Sequence, residues 1–262
     1  MSEILVVKLG GTTIADQRQV LAEVAAVSRR RPVVLVHGGG QRISEWLDRL
    51  GVKSRWEGGL RVTDAAALEV AAAVLRGVVN SELVAALRDL SVDAVGLSGV
   101  DGGLLVAERV PGLGLVAHVV GLRRDLLDAI LVGGQVPVVA PLARDEQGIV
   151  CNVNADDVAA GIAAGLGARQ LVLMTDVDGV RAADGRRIDT MTAEEAESLI
   201  ASGVISGGMV PKIRAALAAL TFPGSEAIIS SSAADQALQR ALEDSAFGTR
   251  IRATASAGAG AA

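Results

Sequence analysis

Short β-branched runs alternate with Ala- and Leu-rich segments along most of the chain, and this alternation limits the fold more than any other feature. Residues 3–9 (EILVVKL), 32–36 (PVVLV), 136–141 (VPVVAP), 169–176 (RQLVLMTD) and 226–231 (EAIISS) read as buried strands. Helical periodicity marks 16–30, 41–51, a long stretch from Thr63, 123–134, 154–168, 192–203, 209–220 and 233–244. Residues 103–110 and 113–120 read as a hairpin, and Thr192 with Glu195 predicts a capping box. Strands apolar throughout, separated by helices, need cover on both faces, so the class is α/β with a mostly parallel central sheet. The softest boundary falls near Gly167, and the low-complexity segment 253–262 (ATASAGAGAA) is expected to be a flexible tail.

Composition removes several functions. The 262 residues suffice for one large domain or two small ones, and 50% are hydrophobic but only 2% aromatic, so the core is aliphatic and offers few stacking platforms for bases. A formal net charge of -5 argues against nucleic acid as a partner. Cys151 stands alone, which excludes an internal disulfide and suits a reducing compartment. No signal peptide is visible, and Gly, Gln or Pro interrupts each apolar run short of the roughly 18 residues of a membrane span. The expectation is a soluble cytoplasmic protein with no membrane partner.

In an open α/β sheet, ligands sit beyond the carboxyl ends of the strands. Three Gly-rich turns fall at such ends: KLGGTT (8–13), VHGGGQ (36–41) and GLSGVDGG (96–103). Glycine lets backbone N–H groups approach an anion closely, although each turn alone is also what a tight strand-to-helix connection needs. No lysine follows a glycine, so there is no Walker A loop, and G-x-G-x-x-G is absent. HGGG lacks the G-x-S-x-G partner of an esterase, and two histidines with one cysteine, far apart, make a poor zinc site. In CNVNADD (151–157), Asn154 can cap the next helix and Asp156 and Asp157 fit its first turn, which leaves Asn152 unexplained. Arg61 follows a glycine pair in GGLRVTD, a position that suits a carboxylate clamp, although by itself it reads more simply as a solvated loop arginine. Of 25 Lys and Arg residues only Lys8, Lys53 and Lys212 are lysine, and two of these border glycine pairs.

The ordered set KLGG, VHGGG, GLRVTD, NVNAD, LMTDVDG and SGGMVPK resembles the amino acid kinase superfamily and, within it, the acetylglutamate kinases, from about Ile4 to Ile251. The resemblance implies a three-layer α/β/α sandwich. Residues 1–168 would form an N-terminal lobe for the amino acid and for dimerisation, and 169–252 a C-terminal lobe for ATP. It implies transfer of the γ-phosphoryl of ATP to the side-chain carboxylate of N-acetyl-L-glutamate, in arginine biosynthesis, with Mg²⁺ entering on ATP and no dedicated protein metal cage. Lys8 and Lys212 would neutralise the transferring group, where a compact charge serves better than a planar fork, and Asp156 would hold both lysines. Arg61, Asn152, Gly39 and Gly40 would bind the acetylated amino acid. Gly10, Gly11, the run Asp176, Val177, Asp178, Gly179, Val180 and Arg181, then Val204, Ile205, Ser206 and Met209, would bind nucleotide.

The chain departs from the pattern where VAHVV replaces VGEV and where IISSSAADQ lacks DG. It starts at the first strand, without the N-terminal helix of ring-forming, arginine-inhibited members, so a homodimer insensitive to arginine is the expectation. The rival within the superfamily is a kinase for carrier-bound aminoadipate or glutamate. A rival of another class is a catalytically inactive nucleotide sensor, against which Lys8, Asp156 and Lys212 stand together.

Overall fold

The computed structural model describes residues 3–10 and 14–253. In chain order its strands are β1 (Leu5–Leu9), β2 (Val33–His37), β3 (Arg55–Glu57), β4 (Leu60–Val62), β5 (Ala94–Ser98), β6 (Leu105–Arg109), β7 (Val116–Leu122), β8 (Val136–Ala140), β9 (Leu142–Asp145), β10 (Val150–Val153), β11 (Gln170–Thr175), β12 (Val180–Arg181), β13 (Arg187–Ile188), β14 (Thr190–Thr192), β15 (Glu226–Ser231) and β16 (Thr249–Arg252). The α-helices are α1 (Ile14–Ser28), α2 (Gly40–Arg49), α3 (Ala65–Ala72), α4 (Asn80–Asp89), α5 (Asp125–Val132), α6 (Ala155–Leu166), α7 (Ala193–Ala201), α8 (Met209–Ala218) and α9 (Ala237–Glu243).

Eight strands form the central sheet in the order β14-β16-β15-β11-β1-β2-β8-β5. From β15 to β5 every pairing is parallel, and β16 joins β15 antiparallel. Every residue of β1, β2 and β8 is buried. These strands read as continuous Val/Leu runs because side chains on both faces of a parallel sheet are covered. One face packs on α6, the other on α1, α4 and α9. β1 pairs with β11 directly, so the sheet runs unbroken across Gly167, the softest boundary in the sequence. Gly167 is the left-handed C-cap of α6, at φ 60°.

The capping signals are realised as read. Thr192 accepts from Glu195 N while Glu195 accepts from Thr192 N, and Asn154 accepts from Asp156 N. β6 and β7 form the expected hairpin, and with β9 and β10 they close into a four-stranded barrel. The sequence reading missed β9 and β10, whose short, half-polar runs flank a turn. It also missed the β3–β4 hairpin and the small edge strands.

Helices α3 and α4 are joined by a π-helical segment, Ala73–Val79, into one element spanning Ala65–Asp89. By length and composition this element could cross a membrane, contrary to the expectation that no stretch reaches that length. Its Val70, Ala71, Val74, Leu75, Leu83 and Leu87 are buried, and the Asn80 amide donates to Val138 O of β8 at 2.8 Å. Those contacts make it a core helix of this fold.

Candidate active site

The site lies where β1, β2, β8 and β11 end. Lys8, the fourth residue of β1, pairs in register with Val36 of β2 and Leu173 of β11, so the sheet centre fixes its backbone. Asp156 enters from the first turn of α6, held by the Asn154 cap. Lys212 comes from the first turn of α8. Lys8 Nζ is 2.8 Å from Asp156 Oδ1 and Lys212 Nζ is 2.9 Å from Asp156 Oδ2, so one carboxylate carries two lysines.

Burial acts against ionisation of Asp156, but the charges of Lys8 and Lys212 outweigh it and hold the carboxyl below its usual range. Burial lowers the Lys8 pKa below the ordinary lysine value, with Asp156 pulling the other way. The triad carries a net positive charge at the mouth of the sheet. The neighbouring Asp157 is turned away from it. Burial raises its pKa, and it accepts from Val119 N at 2.8 Å, tying α6 to β7.

A cavity of about 800 Å³ opens over the triad. On one side it is lined by Gly39, Gly40, Arg61 and Asn152, and on the other by Asp176, Val177 and Met209. Arg61 is 5% exposed. Its guanidinium donates to Gly40 O at 2.9 Å, to Ser44 Oγ at 2.7 Å and to Ser54 Oγ, and stacks on Trp56 with 4.4 Å from Cζ to the ring centroid. All its acceptors are neutral, and among the described residues no carboxylate lies within ion-pair reach of it. Burial lowers its pKa, with the charge of Asp48 acting the other way. A buried cation held by neutral oxygens is ready for an anionic ligand.

A second cavity of about 520 Å³ adjoins the first. Asp176, Val177, Asp178, Gly179, Val180, Arg181, Val204, Ile205, Ser206 and Met209 all line it, with Ser231. The two cavities share Asp176, Val177 and Met209. Thr175 Oγ1 donates to Asp176 at 2.9 Å and this bond, chiefly, lowers the Asp176 pKa. Gly179 sits at φ 143°, where a Cβ would meet Thr249 Oγ1 at 2.6 Å, so the loop requires glycine there.

Among the residues singled out in the sequence, Gly10 directly follows β1 and its carbonyl accepts from Gln17 at 2.8 Å, but it lines neither cavity. Gly11 lies outside the described residues. Cys151 is buried in the barrel and apart from the cleft-lining set. His37, the histidine of HGGG, is fully buried. It contacts Gly38 O through Nδ1 at 2.8 Å and Asn80 Nδ2 through Nε2 at 3.1 Å, and burial pushes its pKa down to about 4. The sequence reading passed over Ser44, Ser54 and Trp56, which hold Arg61. Ser44 had a signal, standing one helical turn after Gly40 on α2, whereas Ser54 and Trp56 reach Arg61 only through the β3–β4 hairpin.

A cleft at the carboxyl ends of parallel strands, with two lysines on one buried carboxylate and a separate buried arginine, defines a group-transfer enzyme for anionic substrates. The amino acid kinase family model matches residues 3–230, and the chain belongs to that family. It is 45% identical over 249 residues to the acetylglutamate kinase of Rubrobacter xylanophilus, covering 95% of this chain and 96% of that one. The acetylglutamate kinase of Methanopyrus kandleri is 45% identical over 235 residues, covering 86% of this chain and 93% of that one. Among solved structures, N-acetylglutamate synthase from Neisseria gonorrhoeae, complexed with coenzyme A and N-acetyl-glutamate, is 27% identical with a TM-score of 0.83, and the match spans 97% of this chain and 60% of that one.

Proposed function

We propose that this enzyme transfers the γ-phosphoryl of ATP to the side-chain carboxylate of N-acetyl-L-glutamate, giving an acyl phosphate, in arginine biosynthesis. The observation that carries the reading is that one cavity holds the Lys8–Asp156–Lys212 triad together with Arg61 and Asn152 and adjoins, at Asp176, Val177 and Met209, a second one lined by Asp176–Arg181. The acceptor carboxylate, with an intrinsic pKa of about 4.3, is already ionised at neutral pH and needs no base. Its oxygen forms the new P–O bond as the bond from the γ-phosphorus to the β,γ-bridging oxygen breaks, and the electron pair leaves on ADP. Both reactants are anions, so catalysis rests on positioning and on neutralising charge. Lys8 and Lys212 supply that charge, and Asp156 keeps them close together before substrate arrives. Arg61 and Asn152 take the amino-acid end, and Gly39 and Gly40 offer backbone N–H groups nearby.

Among the described residues no group of three or more His, Cys, Asp or Glu comes together. Of the carboxylates lining the larger cavity, Asp156 is committed to the lysines, which leaves Asp176 to face a metal–nucleotide. Mg²⁺ fits as an ion carried in by ATP, ligated mainly by phosphates and water, and would add positive charge across the phosphates.

We assign residues 1–168 to the amino-acid lobe and 169–252 to the ATP lobe, and propose a cytoplasmic homodimer. The long helix Ala65–Asp89 leaves Ala66, Ala73, Gly77 and Ser81 exposed, small residues that suit a close two-fold contact. A coupled ADP-release assay with N-acetylglutamate, N-acetylaspartate, aminoadipate and carbamate tests the substrate assignment, which fails if N-acetylglutamate is not the preferred acceptor. Light scattering tests the dimer.

A further inference from the structure

Arg61 and Asn152 come from elements far apart in sequence, β4 and β10, yet they must present their polar groups to one substrate. Thr63 joins them. It is fully buried, directly after β4. Its Oγ1 donates to Arg61 O at 2.8 Å, and Asn152 Nδ2 lies 3.4 Å from Thr63 Oγ1. The backbone completes a ring. Thr63 N donates to Leu113 O at 3.1 Å, Leu115 N to Thr63 O at 2.7 Å, and Asn152 N to Leu115 O at 2.9 Å. Gly114, at φ 73°, allows this approach, because a Cβ there would run into Thr63 O.

The direction of the protons follows from valence. A threonine hydroxyl has one proton, and Arg61 O can only accept it. Thr63 Oγ1 must therefore accept one N–H of the Asn152 amide, which fixes the nitrogen toward Thr63 and leaves its second N–H for a ligand. An amide without this partner is free to turn and to offer Oδ1, the wrong end, to a carboxylate.

We propose that Thr63 is a positioning residue for the acetylated amino acid. It sets the backbone beneath Arg61 and locks the Asn152 amide so that both meet the substrate as donors. This rests on the proposed function, because it supposes an anionic acyl amino acid at that end of the cleft.

The test compares Thr63→Val, which keeps shape without the hydroxyl, with Thr63→Ser, which keeps the hydroxyl. Thr63→Val is expected to raise KM and Kd for N-acetylglutamate roughly tenfold, the scale of one hydrogen bond serving a charged group, with KM for ATP unchanged. Thr63→Ser is expected to bind N-acetylglutamate like the wild type. In an Asn152→Ala background, the larger part of the Thr63→Val effect should disappear. Should the valine variant not fold, Thr63→Ala gives the same comparison. Equal losses for both substrates, an unchanged KM, a serine variant as impaired as valine, or full additivity with Asn152→Ala would each overturn the assignment. Wild-type protein that fails to bind N-acetylglutamate in calorimetry would overturn the proposed function, and the role of Thr63 with it.

Discussion

Lys8 and Lys212 hold opposite oxygens of one carboxylate, at 2.8 Å and 2.9 Å from Asp156, although they come from the first strand and the eighth α-helix of the fold. The two cations cannot both approach a phosphoryl group unless this carboxylate offsets their mutual repulsion. Lys8→Arg or Lys212→Arg should therefore lower kcat roughly 10²-fold or more, with smaller changes in either KM, because a contact made mainly in the transition state is lost. Steady-state kinetics decide it, and wild-type turnover in either variant contradicts the role.

Removing the carboxylate is a different perturbation. Asp156→Ala leaves Lys8, which is 6% exposed, as a buried cation beside a second one. A buried pair broken in this way costs roughly 3–5 kcal/mol, so the variant should unfold at clearly lower denaturant than wild type. Asp156→Asn should retain more stability than alanine, since the amide oxygen still accepts from one lysine, yet show little activity. An alanine variant as stable as the wild type rules out the electrostatic account.

Arg61→Ala should raise KM for N-acetylglutamate strongly and KM for ATP little, because Arg61 lines only the larger cavity. Titration calorimetry of each ligand checks this, and loss of ATP binding instead reverses the lobe assignment. Trp56 stacks on the same guanidinium while remaining 54% exposed. In a Trp46→Phe background, its fluorescence should change when N-acetylglutamate binds, and not in Arg61→Ala.

The pH dependence separates activity from stability. With an ionised carboxylate as nucleophile and His37 held neutral, at about 4, kcat should be flat between about pH 6 and 8. A neutral-range titration abolished by His37→Gln contradicts that mechanism. Stability behaves otherwise. The unfolded chain binds a proton on His37 near pH 6.5, whereas the folded chain does so only near 4. Stability from this group is complete above about pH 6.5 and declines as pH falls towards 4, by at most about 3 kcal/mol for this shift. Denaturation curves across that window should slope less in His37→Gln than in wild type.

Much of the fold was legible because its signals are local. Alternating strand and helix periods gave the parallel sheet, and Thr192 and Asn154 start helices through bonds to residues a few positions away. The candidate site was legible as a set of motifs, since Lys8 with its glycine pair marks the end of a strand and Lys212 with its own marks the start of a helix. What the tertiary structure decided was everything that depends on two distant elements meeting. That Lys8 and Lys212 share one carboxylate depends on α6 packing on β1 and α8 packing on α6. That Arg61 is held by Ser44, Ser54 and Trp56 depends on the β3–β4 hairpin folding against α2. The neutral state of His37 depends on burial beneath Asn80, and the Thr63 bridge on Gly114 letting two backbones touch. Desolvation and hydrogen-bond direction are properties of these contacts, so no reading of residue order could supply them.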